Sequence, residues 1–89
     1  MKSDISNFQS NARKHAKRGD NGDLLALAQA VRDARARAGL TQAQLALVSG
    51  VSRDTVIALE NGRHGVSLGH ALQVMNGLGL TLNPTPVKR

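Results

Sequence analysis

Between Ser52 and Arg63 the chain gathers side chains suited to hydrogen bonding with a duplex nucleic acid. Arg53 can pair in bidentate fashion with guanine, and the neighbouring Asp54 can accept from cytosine N4. Ser52 and Thr55 are flexible donors for phosphates or bases, and Ala58, one helical turn on, suits a thymine methyl. Asn61 and Arg63 follow, placed to meet the sugar-phosphate backbone, with His64 adjacent. Gln42 opens an earlier helix, where backbone N–H groups and a polar side chain can hold a phosphate. Several of these residues have plainer readings. Ser52 serves equally as a helix cap, and Asp54 as a carboxylate complementing the helix dipole, the reading favoured for it because phosphates repel an unpaired carboxylate. Arg53 has no acidic residue four positions on, since Ile57 stands there, so a base or phosphate is its expected partner.

Other chemistry is missing. The sequence holds no Gly-rich phosphate loop, no nucleophile–base pair and no carboxylate dyad in a pocket-forming context, so no catalytic residue and no enzyme is expected. His15, His64 and His70 lack metal-ligand spacing and there is no Cys, which leaves neither a metal site nor a cofactor to expect. The three histidines read as surface or packing residues.

The 89 residues suffice for one small domain. Hydrophobic residues make up 40% of the chain, and no apolar run approaches the roughly 18 residues of a membrane span. The absence of Cys and of an export signal fits a reducing cytoplasm. One Phe without Trp or Tyr argues against stacking of unpaired bases, while 12 Lys and Arg against six Asp and Glu give +6 and point to a polyanion. So small a core commonly gains stability by oligomerising, which makes a homodimer the expectation.

The elements that must hold these residues can be read from caps and periodicity. Residues 1–22 form a basic arm with Arg13, Lys14, His15, Lys17 and Arg18; Asp4 could cap a short helix there, and a solvated tail is the alternative. Asp23 caps a first helix along which Leu24, Leu27, Ala28, Val31, Ala34 and Ala38 recur at helical spacing, stopped by Gly39. Thr41 caps a second with Leu45, Ala46 and Val48 inward, ending at Gly50. Ser52 caps a third over 53–61, with Val56 and Leu59 inward, ending at Gly62. Ser67 opens a fourth with Leu68, Leu72, Met75 and Leu78 on one side, so that the domain occupies 23–79. Leu80, Thr81 and Leu82 alternate before Asn83-Pro84 and read as a short strand whose partner is the same segment of a second subunit, the remainder to residue 89 being tail.

Two short helices joined by a three-residue glycine-containing turn form a helix-turn-helix unit, whose second helix can enter the major groove. The stretch Leu40-Thr41-Gln42-Ala43-Gln44-Leu45-Ala46, then Ser49-Gly50-Val51-Ser52, then Val56-Ile57-Ala58-Leu59-Glu60-Asn61-Gly62-Arg63 resembles the XRE family of phage-repressor-like DNA-binding domains. The resemblance covers Leu24 to about Leu78. The ending Met75-Asn76-Gly77-Leu78-Gly79-Leu80-Thr81-Leu82 resembles the HipB-type antitoxin branch of that family.

The resemblance implies an all-α, four- to five-helix repressor-like domain whose short C-terminal β-strand pairs across a dimer. It implies that residues at the Gln42 position grip the DNA backbone and that Arg35 and Glu60 form a structural ion pair beneath the recognition helix. Ile57 departs from the usual polar residue at its position and leaves open a thymine methyl, a neighbouring helix or no contact. The expected function is a homodimeric, sequence-specific repressor reading an inverted-repeat operator in the cytoplasm, at the nucleoid. On the HipB resemblance it is also an antitoxin that binds a HipA-like Ser/Thr kinase toxin and represses its own operon. The alternative is a solitary prophage-type regulator.

Overall fold

The computed structural model describes residues 22–87, and within them four helices follow one another: α1 (Gly22–Ala38), α2 (Gln42–Ser49), α3 (Arg53–Glu60) and α4 (Leu68–Gly77). Residues 1–21 of the basic arm, including His15 and the short helix that Asp4 was expected to cap, lie outside the described residues, as do Lys88 and Arg89.

Three helices start on hydroxyl caps. Thr41 accepts from the Gln44 N–H while the Gln44 side chain accepts from the Thr41 N–H, a reciprocal pair that satisfies two otherwise orphaned donors. Ser52 and Ser67 do the same singly for Thr55 and His70. All four helices stop the same way. Gly39, Gly50, Gly62 and Gly79 adopt φ between 70° and 75°, a conformation that costs glycine little, and the next residue's N–H turns back to a carbonyl five positions earlier. At three of these stops the returning residue is Leu40, Val51 or Leu80, which packs on the core as it closes the helix.

α3 packs against each of the other three helices, and α2 also crosses α4. Val31, Leu45, Val56 and Val74, one from each helix, are the largest fully buried side chains. Ala46, Leu59 and Ala71 complete the same cluster. The helix whose outer face could meet a groove is therefore the helix at the centre of the core.

Four expectations need correction. α1 already begins at Gly22, so Asp23 lies in its first turn instead of ahead of it. Val48 is 60% exposed, and Ser49 takes the buried place on α2. Leu68 is 64% exposed, because α4 turns Ala71, Val74 and Met75 inward. Finally, Leu80, Thr81 and Leu82 do not form a strand within the single chain. Residues 80–87 carry no regular structure, since a ladder needs a second strand and none of the described residues supplies one.

Candidate nucleic-acid interface

The polar centre of the molecule is Glu60, the last residue of α3, only 2% exposed. Arg35 of α1 meets it side-on: Nε donates to Oε2 at 2.6 Å and Nη2 to Oε1 at 3.0 Å. The third nitrogen of that guanidinium donates to the Leu40 carbonyl at 3.0 Å, so one arginine ties the end of α1 to the end of α3. Gln42 of α2 donates from Nε2 to Glu60 Oε1 at 3.1 Å. Arg32, which no sequence signal singled out, donates from Nη1 to the Glu60 carbonyl oxygen and from Nη2 to Gln29.

Burial pushes the Glu60 carboxyl upward, but hydrogen bonds from Arg35 and Gln42, with the charges of Arg35 and Arg32, outweigh it and hold the group below its ordinary value. The Arg35 guanidinium is raised, chiefly by its hydrogen bond to Glu60. Glu60 is thus an anion at neutral pH, and α1, α2 and α3 converge on it.

The outer side of α3 is different. Arg53 and Asp54 are exposed and form no ion pair among the described residues. Ser52 and Thr55 share a hydroxyl–hydroxyl hydrogen bond of 2.9 Å, and the Ser52 oxygen also accepts the Thr55 N–H at 3.1 Å, so both hydroxyls are engaged in the cap. Ile57 and Ala58 are half-buried. Asn61 is exposed at the end of the helix, and Gly62, in the left-handed conformation, reverses the chain so that Arg63 emerges exposed just beyond.

A shallow groove of about 450 Å³ runs beside this helix, and Asp54, Thr55, Ala58, Arg63, His64 and His70 line it. Four of the residues singled out from the sequence are therefore brought to one surface. Ser52, Arg53 and Asn61 do not line that groove, and the Gln42 amide points into the Glu60 junction. His70 arrives from the first turn of α4. Spacing alone could not place it there, because the irregular segment between α3 and α4 intervenes; the Ser67 cap was the available signal that residue 70 sits in a helix's first turn.

Among the described residues, no group of three or more His, Asp or Glu side chains could hold a metal ion, and no helix is long and apolar enough to cross a membrane.

A family model described as a helix-turn-helix domain matches residues 26–86. An uncharacterized HTH-type transcriptional regulator of Methanothermobacter thermautotrophicus is 47% identical over 49 residues, which span 55% of this chain and 71% of the relative. Among solved structures, a chain of the HipA-HipB-O2-O3 complex is similar with a TM-score of 0.66 at 26% identity, covering 73% of this chain and 92% of that one.

Proposed function

Because the chain belongs to the XRE-type helix-turn-helix family of DNA-binding transcriptional regulators, we propose that it is a sequence-specific repressor acting as a homodimer on an inverted-repeat operator. The observation that carries this reading is the division of α3 into two faces: Val56, Leu59 and Glu60 are buried, while Arg53 and Asp54 stand exposed without ion-pair partners among the described residues.

In this reading Arg53 pairs with guanine. Asp54 either accepts from cytosine or complements the dipole of α3, and Ala58 lies against a thymine methyl. Asn61 and Arg63 meet backbone phosphates. Gln42 contributes its backbone N–H at the start of α2, because its side-chain amide is engaged with Glu60. Ser52 and Thr55 hold the cap with one hydroxyl proton between them, which leaves the other to donate to a nearby phosphate or base. Selection from a random pool of labelled duplexes tests the proposal. Enrichment of an inverted repeat with half-sites roughly one helical turn apart is the expected result, and recovery of no preferred sequence would sink it.

The finer reading is an antitoxin of the HipA/HipB type, which represses its own operon and binds a Ser/Thr kinase toxin. Its support is the likeness to a chain of the HipA-HipB-O2-O3 complex. The dimer is supported by the C-terminal segment: Leu80 bonds back to the Met75 carbonyl at 2.8 Å, after which residues 81–87 make no backbone hydrogen bond among the described residues and Leu82 is 51% exposed. A segment with unpaired backbone groups is a ready template for its counterpart in a second copy. Affinity purification from the native host, with mass spectrometry of what is retained, separates the readings. A stoichiometric kinase supports the antitoxin, and self-dimer with DNA alone points to a solitary prophage-type regulator in the cytoplasm.

A further inference from the structure

We propose that His64 and His70 contact backbone phosphate beside the base-reading helix in their protonated form, so that DNA binding takes up protons and strengthens as the pH falls from 8 to 6. The inference rests on α3 being the groove-facing helix and adds two binding residues and a regulatory variable to that surface.

Charge placement is the argument. Residues 22–87 hold five arginines (Arg32, Arg35, Arg37, Arg53 and Arg63) against four carboxylates (Asp23, Asp33, Asp54 and Glu60). Arg32 and Arg35 are spent inwardly on Glu60. In the groove beside α3 the charged and titratable groups are Asp54, Arg63, His64 and His70. With neutral imidazoles, Arg63 and Asp54 cancel. With both protonated, the groove carries two net positive charges. Duplex DNA presents about one negative charge per 1.7 Å of its axis, so a groove without net charge gains little from it and a doubly positive one gains much.

Both histidines are exposed, and neither ring is engaged by a hydrogen bond or ion pair among the described residues, which leaves their N–H groups available to phosphate oxygens. The sign follows from linkage. Phosphate stabilises the imidazolium over the neutral ring, so binding and proton uptake are linked and affinity rises as the pH falls.

The test is fluorescence anisotropy of the full chain with a labelled duplex of the enriched sequence, at pH 6 and pH 8 and constant ionic strength. Wild type is expected to bind about tenfold more tightly at pH 6. The His64→Gln/His70→Gln double variant should bind with the same affinity at both pH values, and the His64→Lys/His70→Lys variant should bind more tightly than wild type at pH 8. A wild type that binds DNA equally at both pH values overturns the proposal. So does a pH dependence that survives in the glutamine double variant, since His15 and the N-terminal amine would then be its source. A wild type that binds no duplex at either pH overturns the parent reading instead.

Discussion

Arg53 and Glu60 belong to the same two-turn helix and predict opposite losses. Arg53→Ala should fold normally, because the side chain is exposed and has no ion-pair partner among the described residues. Its cost falls on binding: about 1–3 kcal/mol on the preferred operator, with relaxed discrimination at one base pair. Anisotropy on matched and mismatched duplexes checks this, and an equal loss on every sequence would refute a base-reading role. Glu60→Gln should instead unfold the protein more readily, leaving the Arg35 guanidinium with a neutral partner in a half-buried site, at a cost of about 2–4 kcal/mol. The carboxyl's lowered pKa sets the pH behaviour. Its contribution is present in full above the ordinary carboxylate range and is lost as pH falls from about 5 through the lowered folded-state value. Thermal unfolding followed by circular dichroism should show wild type losing stability over that interval and the glutamine variant losing less of it.

Apart from the start of α1, the helix ends were legible in the sequence because each is written in chemistry that acts locally: Thr41, Ser52 and Ser67 as caps, and glycines as stops. What was not legible is the register of α2. Its Leu45, Ala46, Leu47 and Val48 are apolar in succession, so hydrophobicity offers no single inward face, and the buried polar residue Ser49 sits where such a pattern gives no sign of it. The reason lies in α4. Gln73 of that helix donates to the Ser49 carbonyl at 3.2 Å, and Gly77 approaches so closely that a Cβ there would lie 2.8 Å from Ser49 Oγ. That hydroxyl is buried and has no hydrogen-bond partner among the described residues. Crossing helices thus chose a small residue on each side, a requirement that neither helix expresses alone. In the candidate interface the same limit applies: residues within α3 could be placed from sequence, whereas the presence of His70 in the same groove as Arg63 depends on how α4 packs. A double-mutant cycle is the natural check. Gly77→Ala should destabilise by about 1 kcal/mol in wild type, the clash outweighing the gain in helix propensity. In a Ser49→Ala background, which removes both the obstructing and the unsatisfied oxygen, the same change should stabilise.

Charge is distributed unevenly along the chain. Residues 22–87 carry a formal excess of one positive charge out of +6, and residues 1–21 contribute Lys2, Arg13, Lys14, Lys17 and Arg18 against Asp4 and Asp20. Removing residues 1–21 should therefore weaken binding to all duplexes alike and flatten the dependence of affinity on salt, by a logarithmic slope of about 2–3 if the net three charges neutralise phosphates. A salt titration measures it, and an unchanged slope would show that the segment does not touch the backbone. Deleting residues 80–89 should convert a dimer to a monomer in sedimentation equilibrium, and an unaltered mass would exclude pairing through this segment. The buried contacts of α3 enter from its inner side, through Val56, Leu59 and the three side chains gathered on Glu60. Position 53 is thereby released from any duty to the fold, and position 54 owes it only a charge in the first turn of α3. A duplicated copy of the gene could change them one at a time, every ancestor along the way still a folded protein, until the two descendants answered to different promoters.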